Sequence, residues 1–182
     1  HEATVHALGN GVKAILEEGV DARALLSEMA RGERLVEELL RFDAPLHLFT
    51  RYVLEDLEWQ GISLKRGEEI GLMLGAANRD PARFGDPDRL DPARDPNPQL
   101  SFGGGIHFCV GAPLARIEAA SALRALAENV TALEVVDREI ESRGDARRGP
   151  SRGTTPRPLG LLHAGRHLRR HSLRARQSGL VL

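Results

Sequence analysis

The chain has 182 residues, of which 41% are hydrophobic and 28% are charged, and its formal net charge is −1. These proportions are typical of one soluble globular domain, or of part of one. No apolar run approaches the roughly 18 residues of a membrane span. We therefore expect no membrane segment. The single cysteine excludes an internal disulfide, so we expect a cytoplasmic, reducing location.

Residues 1–18 carry apolar side chains at helical spacing, and Gly19 supplies a stop signal. The apolar positions are Val5, Leu8, Val12, Ile15 and Leu16. The chain begins with His1 and not with methionine, and no start signal precedes the helical pattern. We therefore expect a fragment that opens in the second half of a helix.

Two further helices are predicted, a short one over residues 22–29 and a second over residues 33–42, with Gly32 between them. In the second helix, Glu38 and Arg41 are spaced i, i+3, so both side chains leave the same face and can form an ion pair. Such a pair taken alone is usually a solvated surface contact that contributes little to stability.

The middle of the chain predicts short strands followed by a long irregular stretch. Residues 48–54 and 57–64 have strand patterns, with turns at residues 60–61 and 65–67. Residues 70–77 predict a short apolar helix. Residues 78–98 are rich in Pro, Asp and Arg. A run of that length without regular structure is uncommon inside a compact domain and usually has a function.

The only cysteine, Cys109, lies between three successive glycines and an apolar helical pattern with Pro113 in its first turn. Glycines remove side chains and permit positive φ, so a large flat partner could approach the main chain closely. Unpaired N–H groups and the helix dipole stabilise a thiolate at a helix N-terminus. A metal-ligand role for Cys109 is therefore physically sensible.

Other roles of this loop have to be compared with metal binding. A lone cysteine is often a small buried hydrophobic residue. A phosphate-binding loop fits poorly, because the run lacks a Lys-Ser/Thr ending and a third correctly spaced glycine. A zinc site also fits poorly, because His107 and Cys109 have no companion pair of ligands at structural-site spacing. The residues alone leave the buried-hydrophobe and metal-ligand roles open.

The pattern Phe-Gly-x-Gly-x-His-x-Cys-x-Gly, continued by Ala-x-Leu-Ala-Arg, resembles the haem-binding loop of the cytochrome P450 family in its soluble bacterial form. The resemblance implies that Cys109 is the axial thiolate ligand of a haem iron, a ligand that favours O–O cleavage. It implies that His107 reaches a haem propionate and that Phe102 packs beneath the thiolate. The loop glycines assigned to haem binding on the same basis are Gly103, Gly105 and Gly111.

Other segments resemble the same family at consistent distances. Residues 38–41 resemble its Glu-x-x-Arg element, in which Glu38 and Arg41 would form a buried network with an arginine of the later meander. Residues 78–98 correspond to that meander, and the piece Pro-Asp-Arg-Leu makes Arg89 the predicted third member. Arg51 matches an arginine that pairs with a haem propionate, a task that suits the bidentate guanidinium group.

The first residues, His-Glu-Ala-Thr, resemble the oxygen-activating segment of the family's long central helix, Ala-Gly-x-Glu/Asp-Thr. Glu2 matches the acid of that segment. Ala3 stands where most members carry the threonine that helps deliver protons to bound dioxygen, and the nearest hydroxyl belongs to Thr4. The predicted catalytic residues are therefore Glu2 and Thr4.

The resemblance covers residues 1–136 and implies a mainly α fold with small β-sheets, namely the C-terminal part of the cytochrome P450 fold in incomplete form. It implies a haem-thiolate monooxygenase that inserts one oxygen atom from dioxygen into a small apolar substrate and receives electrons from a ferredoxin-type partner. An inactive remnant of such an enzyme is the alternative, because the part of the fold before the central helix is not present in the sequence.

Residues 137–182 form an Arg-rich tail to which the resemblance does not extend. Residues 143–182 hold ten arginines and one acid, whereas residues 1–142 hold 15 basic and 25 acidic side chains. With 23 arginines and two lysines in the chain, we expect a frame-shifted translation of a GC-rich sequence, or a disordered tail. A basic arm that binds nucleic acid is a further alternative, disfavoured because the tail has no lysine and no aromatic residue.

Overall fold

A computed structural model describes residues 2–140 and 170–177. The helices are α1 (Glu2–Glu17), α2 (Ala22–Leu26), α3 (Met29–Phe42), α4 (Leu74–Ala77) and α5 (Ala112–Asn129), with a 3₁₀ turn at Gly105–His107. The strands are β1 (Leu48–Tyr52), β2 (Leu57–Trp59), β3 (Ile62–Leu64), β4 (Glu69–Met73), β5 (Val130–Ile140) and β6 (Arg170–Gln177). Within these ranges the strands form two-stranded antiparallel sheets, β1 with β4, β2 with β3 and β5 with β6. The predicted fold class, mainly α with small sheets, is confirmed.

The hydrophobic core lies where α1, α3 and α5 pack against one another. Helix α1 buries Val12 and Ile15 of the predicted apolar stripe, whereas Val5 is exposed, and the helix is followed by Gly19, which adopts a φ of +65°. Leu35 and Leu39 of α3 meet Leu123 of α5 in the same cluster. Because these buried side chains fix the orientation of α3, its remaining faces can contact the loops that follow it in the chain.

Helices α2 and α3 divide the chain differently from the prediction. Helix α2 begins where the Asp21 side chain accepts a hydrogen bond from the Ala24 N–H group, and it ends at Leu26. Helix α3 already begins at Met29 and contains Gly32, which was expected to separate the two helices. Gly32 is buried against Leu26, so close packing between the helices explains a glycine inside the first turn of α3.

The segment over residues 70–77 was predicted as one helix, and the first half of that prediction is wrong. Glu69–Met73 forms β4, which pairs with β1 so that Gly71 lies opposite Thr50. Ile70 and Leu72 alternate with exposed neighbours, which is a strand period that the edge of β1 stabilises by pairing. The predicted strands before it are confirmed as β1 and as the β2–β3 hairpin with its turn at residues 60–61.

Helix α5 follows the cysteine loop as predicted, with Gly111 at its N-cap and Pro113 in its first turn. It continues to Asn129, and β5 begins at Val130. Residues 137–140, expected as part of a tail, are the end of β5, and residues 170–177, expected likewise, form its partner β6. The rest of the tail and its frame-shift, disorder and nucleic-acid hypotheses lie outside the described residues. None of the described helices is long and apolar enough to cross a membrane.

Candidate functional site

A cleft of about 900 Å³ opens between α1, the start of β1, the cysteine loop and α5. Its volume is in the range of pockets that hold cofactor-sized ligands. Most of its wall is apolar, and the polar groups that reach it come from few side chains. The residues that line the cleft include Ala3, Thr4, Pro45, Leu46, Phe49, Arg51, Phe102, Gly103, His107, Cys109 and Gly111.

The backbone of the cysteine loop is closed by its own hydrogen bonds. The Cys109 N–H group donates to the Phe102 carbonyl at 2.9 Å, and the Gly103 N–H group donates to the Leu100 carbonyl at 2.8 Å. Gly103 and Gly105 have φ angles of +73° and +62°, which favour glycine. The backbone conformation therefore favours glycine at these two positions, as the sequence predicted. The loop folds back so that Cys109 lies beside Phe102.

Cys109 is an exposed free thiol that lines the cleft. The loop runs directly into α5, since the Cys109 carbonyl accepts a hydrogen bond from the Ala112 N–H group at 3.2 Å. A Cβ atom at Gly111 would lie 3.8 Å from the Cys109 Sγ atom, so the sulfur sits beside the N-cap of an 18-residue helix. This exposure excludes the role of a small buried hydrophobic residue.

Two basic side chains line the same cleft as the thiol. Arg51 comes from β1, is half-buried, and donates from its Nη1 atom to the Thr50 carbonyl at 2.8 Å. His107 ends the 3₁₀ turn of the cysteine loop and is exposed. The structure therefore brings together Arg51, His107 and Cys109, three of the residues singled out in the sequence.

Phe102 is half-buried and packs against the hydrophobic core. Its ring centroid lies 6.3 Å from that of Phe108, with the two ring planes tilted by 57°. The guanidinium carbon of Arg116 lies 4.5 Å from the Phe102 ring centroid, within the range of a cation–π contact. The ring next to the cysteine is thus fixed from two sides.

The residues predicted to activate oxygen do not all reach the cleft. Ala3 and Thr4 are half-buried and line it at the first turn of α1. Glu2 is exposed and does not belong to its lining. At this end of the cleft, Thr4 therefore supplies a hydroxyl group beside the methyl group of Ala3.

The predicted network of Glu38 and Arg41 is present and fully buried, with relative exposures of 0% and 1%. Two hydrogen bonds of 2.8 Å join the Arg41 Nε and Nη2 atoms to the two oxygens of Glu38. The remaining Arg41 donors reach the carbonyl groups of Asn78 and Pro87 at 2.9 Å and of Arg89 at 3.1 Å. Helix α3 is thereby joined to the meander.

The third member of this network is Arg94, and the prediction of Arg89 was wrong. The Arg94 Nε atom lies 3.2 Å and 3.1 Å from the two Glu38 carboxylate oxygens. The Arg89 side chain is exposed, and only its carbonyl faces the network. The other donors of Arg94 reach the Gly85 and Asp86 carbonyls, so this part of the meander wraps around the Arg94 guanidinium group. The Arg89 carbonyl therefore faces the network, and the Arg89 side chain faces solvent.

Sequence reasoning also missed a buried polar link between the network and the cysteine loop. The Asn78 amide is fully buried, donates to the Ser101 hydroxyl at 2.8 Å and accepts from the Leu100 N–H group at 2.7 Å. The Ser101 hydroxyl in turn donates to the Leu40 carbonyl at 2.7 Å. A polar residue at the start of the irregular stretch was the available signal, but its partners are too distant in sequence to identify.

Glu37, the neighbour of Glu38 on α3, was missed as well. Its carboxylate forms an ion pair with Arg116 of α5 and accepts a hydrogen bond of 3.0 Å from the Gln99 side chain. Burial raises the pKa of Glu37, but the hydrogen bonds from Arg116 and Gln99 and the charge of Arg116 outweigh it and hold that pKa below its usual value. The Glu37 contact also raises the pKa of Arg116, against an opposing effect of burial.

Comparison with known proteins identifies the family. The family model described as cytochrome P450 matches residues 10–141. The chain belongs to the cytochrome P450 family. Its cysteine loop, Glu-x-x-Arg element and meander are therefore elements of a cytochrome P450 fold, of which the chain represents a part.

Individual cytochromes P450 resemble this chain over most of its length. The biotin biosynthesis cytochrome P450 of Bacillus subtilis is 40% identical over 139 residues, which are 76% of this chain and 35% of that protein. The monooxygenase PikC of Streptomyces venezuelae is 43% identical over 129 residues, 70% of this chain and 31% of PikC. The crystal structure of P450BioI in complex with hexadec-9Z-enoic acid ligated acyl carrier protein matches with a TM-score of 0.71 at 39% identity, over 76% of this chain and 36% of that one. The chain spans about a third of the length of these relatives.

The residues of the cleft fit a haem by their chemistry. In the part of the chain that the structure describes, no three His, Cys, Asp or Glu side chains converge as a metal site, so these residues offer no complete ligand set for a bare metal ion. A single thiolate suits an iron that a macrocycle already holds. Arg51 and His107 provide positive or hydrogen-bonding groups for two carboxylates, and the apolar wall suits the ring between them.

Proposed function

We propose that this chain carries the haem-thiolate site of a cytochrome P450 monooxygenase, with Cys109 as the axial ligand. One observation carries the proposal: the only cysteine is exposed at the N-terminus of α5 and lines an apolar cleft together with Arg51 and His107. When bound, the haem supplies the oxidation itself, the insertion of one oxygen atom from dioxygen into a substrate. The side chains hold, orient and shield that chemistry.

Arg51 and His107 anchor the haem through its propionates. Arg51 projects from a paired strand, which limits the movement of the guanidinium group, and its remaining donors can engage a carboxylate in bidentate geometry. His107 belongs to the same loop as Cys109 and would bind the second propionate. Together with the thiolate, Arg51 and His107 would hold the haem through three side chains.

The substrate side of the cleft is apolar. Pro45, Leu46 and Phe49 line it between α3 and β1, and Ala3 continues the apolar surface on α1. These side chains exclude water and favour a small apolar substrate. The Thr4 hydroxyl is the group that passes protons into the cleft, and Glu2, exposed on the same helix, exchanges them with solvent.

Electrons come from a ferredoxin-type donor that docks on the outer side of the cysteine loop. Ile106 and Val110 flank Cys109 and are 97% and 98% exposed, and neither belongs to the lining of the cleft. Exposed apolar side chains of this kind mark contact surfaces for proteins. A donor seated there is separated from Cys109 by little more than the loop backbone.

Reconstitution with haemin tests the proposal. We expect the 182-residue chain to bind haem and to give the red-shifted Soret band of a thiolate-ligated ferrous carbon monoxide adduct. Cys109→Ala should abolish that band, whereas Val110→Ala, at the adjacent exposed position, should retain it. An unchanged band in Cys109→Ala would refute the ligand assignment. Failure of the parent chain to take up haem would favour the alternative of an inactive remnant.

A further inference from the structure

We infer that Glu37 is a positioning residue for Cys109, because its carboxylate closes the cysteine loop by binding one residue on each side of it, Gln99 and Arg116. The inference rests on the proposed role of Cys109 as the haem ligand. It assigns to Glu37 a task different from that of Glu38, whose partners Arg94 and Asn97 lie in the meander.

The contacts of Glu37 reach both ends of the loop. The Gln99 Nε2 atom donates to Glu37 Oε2 at 3.0 Å, and the Arg116 Nη2 atom donates to the same oxygen at 3.1 Å, while Arg116 Nε donates to Oε1. Gln99 precedes Cys109 in the chain, and Arg116 follows it on α5. One carboxylate on α3 therefore joins the start of the loop to the helix that follows the loop.

Further contacts of Gln99 and of Arg116 lead toward Cys109. On the first side, the Gln99 Oε1 atom accepts a hydrogen bond of 2.7 Å from the Ser101 N–H group. On the second side, the Arg116 guanidinium carbon lies 4.5 Å from the Phe102 ring centroid. The first side ends at Ser101 and the second at its neighbour Phe102, whose carbonyl accepts the hydrogen bond from the Cys109 N–H group at 2.9 Å. Loss of Glu37 therefore loosens the contacts that hold two consecutive residues of the loop, Ser101 and Phe102.

The charge state of Glu37 suits this role. Burial opposes ionisation, but Arg116 and Gln99 hold the pKa of Glu37 below its usual value, so the carboxylate is charged at neutral pH. The side chains of Glu37 and Arg116 are 27% and 36% exposed, so the ion pair is partly shielded from water. A shielded, bidentate pair restricts the loop more than a fully exposed pair does.

Hydrogen exchange of the full chain without haem tests the closure directly. In Glu37→Ala we expect the hydrogen-bonded amides of residues 100–112, including that of Cys109, to exchange roughly five to thirty times faster. Amides within α1 should be unchanged. The matched control is Asp56→Ala, which removes a carboxylate whose ion pair with Lys65 lies outside the loop. An unchanged rate over residues 100–112 would overturn the inference, as would an equal acceleration throughout α1, α3 and α5.

Swapping the charges of Glu37 and Arg116 distinguishes closure of the loop by the ion pair from simple loss of a side chain. Glu37→Arg and Arg116→Glu each place like charges together, and each should accelerate exchange over residues 100–112. The double variant restores an ion pair, although its guanidinium group no longer lies over Phe102. We expect the double variant to recover most of the protection. Exchange as fast as in the single variants would show that the ion pair does not close the loop.

The haem-loaded chain gives a second readout. Glu37→Ala should lower the fraction of bound haem that gives the red-shifted carbon monoxide band, and Asp56→Ala should leave that fraction unchanged. An unchanged fraction in Glu37→Ala would contradict the positioning role. If the parent chain gives no such band while the exchange results hold, the proposed function fails and the loop closure by Glu37 stands.

Discussion

Arg94 binds Glu38 across 56 residues of sequence, with its Nε atom 3.1 Å from the Oε2 atom of the carboxylate. Glu38 also receives both hydrogen bonds of the Arg41 fork, so one fully buried carboxylate serves two guanidinium groups. The two guanidinium groups carry one positive charge more than the carboxylate neutralises, and hydrogen bonds to backbone carbonyls of the meander stabilise that charge. Removal of any member therefore leaves buried charge without a partner, which costs more than the intact pair contributes.

The first prediction compares the two arginines of the meander. Arg94→Ala should lower the free energy of unfolding by about 3–5 kcal/mol, because Glu38 loses a buried partner. Arg89→Ala should change it by no more than about 0.5 kcal/mol, because the exposed side chain is removed and the carbonyl that accepts from Arg41 remains. Urea unfolding of both variants measures the difference. Equal losses in the free energy of unfolding would show that the Arg89 side chain also belongs to the network.

The second prediction concerns the link between Asn78 and Ser101. Asn78→Ala leaves the Leu100 N–H group without its buried partner and should lower the free energy of unfolding by about 1–3 kcal/mol. Ser101→Ala leaves the buried Asn78 Nδ2 atom and the Leu40 carbonyl without this partner, so it should cost a similar amount, about 1–3 kcal/mol. Since the two side chains are bonded to each other, the double variant should cost less than the sum of the single variants. A strictly additive urea-unfolding cycle would contradict a shared network.

The third prediction is an acid-dependent contribution from Glu37. Its pKa in the folded chain lies below the ordinary value of 4.5, so the unfolded chain binds more protons in the acidic range. The stability that the carboxylate contributes is complete above pH 4.5 and is lost as the pH falls through the lower, folded pKa. Glu37→Gln should flatten the fall in stability over this range, as measured by urea midpoints at successive pH values. An unchanged slope would argue against the lowered pKa.

The fourth prediction has the opposite sign and concerns Asp43 at the end of α3. Burial raises the pKa of Asp43 above its ordinary value of 3.8, against the opposing charges of His47, Lys13 and Arg79. Its contribution to stability is present below pH 3.8 and is lost as the pH rises through the folded pKa. Asp43→Asn should therefore raise the thermal midpoint at neutral pH relative to the parent, with no gain at low pH. A gain that is the same at all pH values would point to a cause other than ionisation.

The fifth prediction uses two neighbouring glycines of the cysteine loop. Gly103 has a φ of +73°, so Gly103→Ala should cost about 1–2 kcal/mol of folding free energy. Gly104 is extended, with a φ of −161°, and a Cβ atom there meets no atom within 4 Å. Gly104→Ala should therefore be close to neutral. Thermal unfolding of the two variants provides the comparison, and equal losses would contradict the backbone explanation.

Local patterns were sufficient to predict α1, β1, the β2–β3 hairpin and the cysteine loop, because each depends on periodicity or on glycines within a short window. The strand β4 was mistaken for a helix because its alternation covers only Ile70 and Leu72, and pairing with β1 decides its structure. Tertiary pairing of this kind overrides a short local preference.

The site was only partly predictable for a different reason. Thiol, histidine and arginine stand in a recognisable pattern, whereas the residues that hold them are joined by contacts between distant parts of the chain. Glu37 and Arg116 are 79 residues apart, and Glu38 and Arg94 are 56 apart. The meander offers several arginines, and a sequence carries no distances with which to choose between Arg89 and Arg94.

The adjacency of Glu37 and Glu38 has a consequence for how this helix can vary. Successive residues of an α-helix project about 100° apart, so each carboxylate faces its own set of partners only while the spacing from Glu37 to Arg41 is kept. One residue gained or lost within that span would turn at least one of these groups away from its partners. Related sequences should therefore differ in α3 by substitution at exposed positions such as Glu33 and Arg34, and not by insertions or deletions between Glu37 and Arg41.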